Sequence, residues 1–467
     1  MSNKFPGEKT RAMLERGIPL FRNGLKFEAE MEKAGRRGFR SARQIVVDKA
    51  EGDFIWDLDG KRYIDFQNGW ATNPVGNAHP EVIEAVYAAL KRYGFHYDHP
   101  LRYELAEKLI ATMPDKSLSR LNYEVSGTEA AEAAVHLALT YTKRRYVITF
   151  SSSYHGNSIG AKLLSGLDGK YNRYLEAWTG GVIRAPYPYS DIMPAGMSQE
   201  QHVEYCLWYL DNHIPNSMVP RDSIAAILIE PGLAEGGNWI PPTNFLQGIR
   251  SICDKNDWLM VADEVLTGLG RTGTMWGIEH YGVVPDILVF GKNLSGGIEP
   301  CAGIVARDEI LGDNDEFASG STFAGTPAGC AAGIKTLELY ERDGIVENAA
   351  RLGRIAKEIM SGWEQYDIVR QVRGNGLLLG VGFVEPEADD RTRNWWVSRA
   401  VREEMLRNGV WAISDRQDSI RMYPALNMDE ANLREGLEVM HAAIRLVNDK
   451  GHDLGDSPAW PTGVAGF

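Results

Sequence analysis

Cysteine is scarce. The 467 residues hold four, Cys206, Cys253, Cys301 and Cys330, spread too widely for a metal cluster or a disulfide framework. A reducing, cytoplasmic home is the expectation. Long apolar runs are also missing. None approaches the roughly 20 residues that span a bilayer, and the opening MSNKFPGEKTRAMLERG lacks the apolar core of a secretory signal. Positive charge is in deficit: the formal net charge of −13 argues against a nucleic-acid or anionic-membrane partner. Metal-like spacing occurs at His96-x-x-His99, in an aromatic, proline-bounded loop with no acidic support beyond Asp98. It reads as structural, and no metal is expected.

The chain is too long for one small core and suggests two unequal, interleaved domains. Its 49 glycines suit many tight turns between strands and helices. Strand and helix patterns alternate from about residue 121 to 305, which predicts a mostly parallel sheet with its site at the strands' carboxyl ends. Residues 164–222 read as irregular and insertion-like, and the last 18 or so as a mobile tail. Residues 1–40 lean helical, either as an arm lying on a partner subunit or as a frayed terminus.

The most informative stretch is Trp258–Gly297, WLMVADEVLTGLGRTGTMWGIEHYGVVPDILVFGKNLSGG. The apolar run Trp258–Ala262 ends in Asp263-Glu264. A second run, Ile287–Phe290, delivers Lys292 into a glycine-rich turn. A carboxylate at one strand end and a lysine just past another is the pairing a pyridoxal 5′-phosphate (PLP) site needs: the amine forms a Schiff base and the acid keeps the pyridine nitrogen protonated. Gly268-x-Gly270-x-x-Gly273 matches a dinucleotide fingerprint only literally. An acidic pair separates it from its strand, and no second strand ends in the usual acid roughly 20 residues on.

DEVLTGLGRTG followed by PDILVFGKNLSGG resembles the signature of class III (ω-type) PLP-dependent aminotransferases, and the resemblance runs from about Gly52 to Met440. It implies an α/β chain of PLP fold type I, with a mostly parallel central sheet and a smaller α+β domain built from both termini. The implied divisions are 1–75, 76–333 and 334–467. It implies that Lys292 carries the cofactor, that Asp263 meets the ring nitrogen, and that Val265 packs on one ring face while Tyr154 of the YHG element stacks on the other. The SGTEA turn implies a phosphate site at Ser126, Gly127 and Thr128, where a helix start offers free N–H groups; an ordinary capped helix is the alternative. Glu230 opens the EP-x-x-x-E-G-G pattern, which Glu235 continues. GSTF-x-G-x-P places Thr322 on the neighbouring subunit's phosphate, hence a homodimer with shared active sites, with pairing into tetramers left open. Arg421 in IRMYPAL resembles a family arginine that clamps an α-carboxylate, and Glu235 the acid that neutralises it; a structural Arg–Glu pair is the alternative. Trp70 is a candidate pocket wall or a packed aromatic. Ala425 and Leu266 depart from the family pattern. His155 is assigned no catalytic part. The implied reaction is ping-pong transfer of an amino group from a primary amine or ω-amino acid to pyruvate or 2-oxoglutarate. The rival is a PLP racemase, aminomutase, decarboxylase or lyase.

Overall fold

The computed structural model describes residues 6–17, 19–20, 45–167, 175, 180–190, 193–384, 395–414 and 418–450. The C-terminal tail and most of the N-terminal arm lie outside these; within the arm Glu8–Gly17 is helical.

A seven-stranded sheet forms the centre. Its strands are β4 (Leu118–Glu124), β5 (Tyr146–Phe150), β6 (Val182–Ala185), β7 (Ile224–Ile229), β8 (Leu259–Asp263), β9 (Ile287–Phe290) and β10 (Ala302–Arg307), in the order β4-β10-β9-β8-β7-β5-β6. β10 runs antiparallel to both its neighbours, and the pairs from β9 to β6 are parallel. β7 is apolar and buried at every residue, as a strand covered on both faces must be. One cover is the helix Gly127–Thr142. Its buried residues are five alanines and Leu137, and such small side chains let it lie close on the strands beneath.

Two smaller sheets flank this one. β1 (Val47–Glu51), β2 (Phe54–Asp57) and β3 (Arg62–Asp65) form a meander that β13 (Val410–Trp411) joins in parallel, so both ends of the chain share a sheet. β11 (Val369–Asn375), β12 (Leu378–Phe383) and β14 (Ser419–Met422) form an antiparallel trio. The chain is thus α/β with a mixed, mostly parallel centre, as expected.

The expectation of irregular chain over 164–222 is corrected. This region supplies edge strand β6 and the helix Gln199–Trp208, which starts on a full capping box between Ser198 and Gln201. Residues 168–174, 176–179 and 191–192 of it lie outside the described chain. The polar run Ser198–Gln201 carried the helix-start signal, whereas β6 is only four residues long and too short for a period-2 pattern to stand out.

Candidate active site

The carboxyl ends of β4, β5, β7, β8 and β9 lie along the same edge of the central sheet. β8 ends in Asp263, which is 4 % exposed. Asp263 Oδ1 accepts the Val265 N–H at 3.1 Å, and Oδ2 lies 2.7 Å from His155 Nδ1. An ionised carboxylate only accepts, so Nδ1 carries the proton. The buried His155 Nε2 has no hydrogen-bond partner among the described residues. His155 is the residue that the sequence reading passed over. It lies 108 positions from Asp263, and no spacing rule links the two. Only its place in the YHG element marked it.

Glu264, next to Asp263, faces away. It accepts from Thr267 Oγ1 and from the N–H groups of Gly277 and Ile278, tying down the 264–278 loop. Burial pushes its carboxyl up to about 7. In that loop Gly268–Gly273 forms turns, not a helix start, so the dinucleotide match is a coincidence of glycines. His99 bonds the Gly325 carbonyl at 3.0 Å, and no metal-holding cluster occurs among the described residues.

Past β9 the chain enters a single helical turn, Lys292–Ser295, and Lys292 itself takes φ = +41°. A non-glycine residue in the left-handed region costs on the order of 1–3 kcal/mol and persists where surroundings over-determine it. Here Asn293 helps, donating to the Leu269 carbonyl at 3.2 Å. Burial draws the Lys292 amine below the usual lysine range, opposed by the carboxylates of Glu235, Asp263 and Glu230, while Arg421 adds to the lowering. A lowered lysine has more of the neutral, nucleophilic amine at neutral pH.

Glu230 follows β7 and is buried. Its Oε1 accepts from the Tyr154 N–H at 2.8 Å and Oε2 from Ala234 N–H at 3.0 Å. Burial pushes its carboxyl up to about 7; His155 opposes this and Asp263 adds to it. Tyr154 is half-buried, and its hydroxyl accepts from Asn157 at 2.8 Å.

Ser126 caps the Gly127–Thr142 helix, accepting from Glu129 N–H at 3.4 Å. Glu129 returns a bond to the residue before the cap, its Oε2 accepting the Val125 N–H at 3.0 Å. The N–H groups of Gly127 and Thr128, in the first helical turn, have no intrahelical acceptor. Gly127 is required by space, since a Cβ there would come within 2.7 Å of Val265 Cγ1. Val265 reaches this position by a turn that begins directly after β8.

Arg421 on β14 is 2 % exposed, and its Nη2 lies 3.1 Å from Glu235 Oε2. Trp70 is 39 % exposed and sits in a run of four left-handed residues, Asn68 to Ala71, with φ from +51° to +64°. The run is braced by Asp65, which accepts from Gln67 N–H, Asn68 N–H and Asn77 Nδ2. Thr322 stands apart and exposed, on a turn held by Arg102 through the Ala324 carbonyl at 2.7 Å.

These features fit a pyridine aldehyde carrying a phosphate. An unpartnered buried imidazole nitrogen backs the carboxylate that would meet the ring nitrogen. A glycine with no room for a side chain lies beside free helix N–H groups and the valine that would face the ring. A lysine amine of lowered affinity for protons completes the set.

Comparison with known proteins agrees with that chemistry. The profile of "Aminotransferase class-III" matches residues 38–444. A probable 4-aminobutyrate aminotransferase of Bacillus subtilis is 32% identical over 416 residues, 88% of this chain and 95% of its own. A leucine/methionine racemase of Thermococcus litoralis is 30% identical over 413 residues, 87% of this chain and 91% of its own. The solved structure of a taurine:2-oxoglutarate aminotransferase from Bifidobacterium kashiwanohense, in complex with PLP and glutamate, superposes with a TM-score of 0.80 at 26% identity, covering 87% of this chain and 93% of that one.

Proposed function

The chain belongs to the class III aminotransferases, which use PLP, and from that premise we propose which residues carry the reaction and on what substrates. The donor is a primary amine or ω-amino acid, and the acceptor is pyruvate or 2-oxoglutarate. When bound, the cofactor accepts the amino group and stores the electron pair of the broken C–H bond. Lys292 holds it and, once free, carries the proton to and from the substrate carbon. Asp263 would hold a proton on the ring nitrogen, and His155, bonded to Oδ2, keeps the Asp263 side chain aimed. Ser126, Gly127 and Thr128 hold the phosphate. Val265 and Tyr154 would cover the two ring faces, and Glu230 holds the Tyr154 loop through its N–H. Trp70 walls the entrance.

The observation that carries the substrate reading is the Arg421–Glu235 pair at 3.1 Å beside Lys292, on whose amine both residues act electrostatically. A guanidinium fork binds a keto acid's carboxylate in two-pronged fashion. With a donor that lacks an α-carboxylate in place, Glu235 balances the charge instead. The relatives' names fit both halves: 4-aminobutyrate on one, 2-oxoglutarate on the other.

The racemase among the relatives keeps a second reading open, in which no net transfer occurs. Single-turnover spectroscopy separates them. An amine donor alone is expected to bleach the holoenzyme's visible band, and a keto acid to restore it. A band that survives excess donor, in an enzyme that still exchanges the donor's α-hydrogen with solvent, overturns amino transfer.

We further propose a homodimer. The helix Pro80–Tyr93 buries Val82, Val86 and Ala89, yet leaves Ile83, Tyr87 and Leu90 exposed on another face. Phe95 and Phe323 extend this apolar surface, their exposed rings 4.9 Å apart, to the edge of Thr322. A contiguous patch of this kind marks an interface. The pair Tyr87→Asp and Leu90→Asp should shift the sedimenting mass from twice 51.9 kDa to that single value and cost most activity, because Thr322 then has no neighbouring phosphate to reach. Wild-type protein that sediments as a monomer removes this proposal.

The divisions at 75/76 and 333/334 remain proposals. The continuous helix Pro327–Asp343 crosses the second and packs on the helices Pro80–Tyr93 and Pro100–Ile110. A cytoplasmic location is proposed on the four buried, unpaired cysteines. No helix among the described residues is long and apolar enough to cross a membrane.

A further inference from the structure

We infer that Tyr423, braced by Asn238, is a positioning residue that locks the Arg421 guanidinium in place, so that exchange between the two substrate types is made by Glu235 alone. The inference rests on the reading of Arg421 as the carboxylate clamp.

The backbone of Arg421 is held along both edges. On one side it pairs with Gly380 of β12. On the other its N–H and carbonyl both bond Ile413, at 2.9 and 3.1 Å. The side chain is held as firmly. Nη1 donates to the Tyr423 hydroxyl at 3.2 Å and lies 3.5 Å from the Ala234 carbonyl. The Tyr423 hydroxyl in turn donates to Asn238 Oδ1 at 2.9 Å, and Asn238 Nδ2 donates to the Leu379 carbonyl at 2.6 Å. Leu379 precedes Gly380 on β12, so the chain of bonds starts and ends on the same pair of strands. Asn238 is fully buried at φ = +58°, a conformation that asparagine tolerates better than most residues. The Tyr423 ring is wedged among Ala71, Ala234, Leu266, Leu378 and Ile413.

Glu235 differs. Its side chain is 12 % exposed against 2 % for that of Arg421, and it is followed by Gly236-Gly237. Swinging Arg421 outward would break a fully satisfied buried network and strand a phenol and an amide, at the cost that buried unpaired polar groups carry. Turning Glu235 toward solvent breaks one ion pair and leaves a carboxylate that water can reach. The lower-cost motion is that of the glutamate.

The test uses holoenzyme of Tyr423→Phe, Arg421→Ala and the double variant, with glutarate as an unreactive dicarboxylate probe in calorimetry and with both half-reactions followed separately. Y423F keeps the ring and its packing. It should weaken glutarate binding and raise the KM for 2-oxoglutarate about tenfold, the effect of one lost hydrogen bond to a charged group, while changing the half-reaction of a carboxylate-free amine by roughly twofold or less. Because Tyr423 acts through Arg421, the double variant should bind glutarate no worse than R421A. If Y423F binds glutarate like wild type while R421A does not, the lock is wrong and the clamp stands. Equal slowing of both half-reactions by Y423F also overturns it, as that is a general structural defect. If R421A binds glutarate like wild type, the clamp itself is wrong.

Discussion

Lys292→Ala is expected to yield a colourless protein whose turnover falls by roughly 10⁴-fold or more, the loss seen when a covalent catalytic group is removed. The structure gives the reason in three parts. The residue is presented at the end of a fully buried strand, in a backbone conformation of φ = +41° that only a specific environment sustains. Burial lowers its amine's affinity for protons. Its electrostatic partners Asp263, Glu230, Glu235 and Arg421 are the other groups assigned to the reaction. Lys292→Arg should be equally inactive, since a guanidinium stays protonated and cannot act as the nucleophile. The fold should survive either change. A variant that stays yellow, with borohydride reduction and peptide mapping placing PLP on a different lysine, would end the assignment.

The second large effect is expected at Asp263→Asn. The side chain keeps its shape, but its charge is lost. Both of Asp263's partners, the Val265 N–H at 3.1 Å and His155 Nδ1 at 2.7 Å, are donors to it. An amide has one oxygen and one NH₂, so it satisfies only one of them unless His155 moves its proton to Nε2. The site then presents a neutral amide in place of the carboxylate, so a bound cofactor's ring nitrogen would lose the charge that favours its protonated form. The drop in kcat should be about 10³-fold or greater, by analogy with removal of preorganised electrostatic partners and of tautomer control. Cofactor binding should persist, because Lys292 and the helix N-terminus at Gly127 are untouched. The readout is therefore split: visible band kept, turnover lost. If the Asp263→Asn enzyme keeps a kcat within about tenfold of wild type, the ring nitrogen takes its proton from elsewhere.

Much of the site was legible because it is written locally. Strand ends are announced by an apolar run meeting a charge or a glycine, which is how Asp263, Glu230 and Lys292 stand out. The helix start at Ser126 is announced by its cap. Other features were not legible for equally local reasons. Glu264 carries the same charge as Asp263 one position away, and only the loop that folds back to offer two N–H groups turns it into a structural anchor. Val265 comes to lie beside Gly127 only because the chain turns directly after β8.

The sequence by itself determined which residues end the buried strands and begin the Gly127–Thr142 helix, because hydrophobic periodicity and capping act over a few neighbouring positions. Tertiary structure alone decided the pairings: His155 with Asp263 across 108 residues, and Arg421 with the Ala234–Glu235 turn across 187 and 186. Those partners meet because the sheet sets β7 between β5 and β8 and folds β14 back beside that turn. Strand order is a property of the whole packed chain, and no local pattern encodes it.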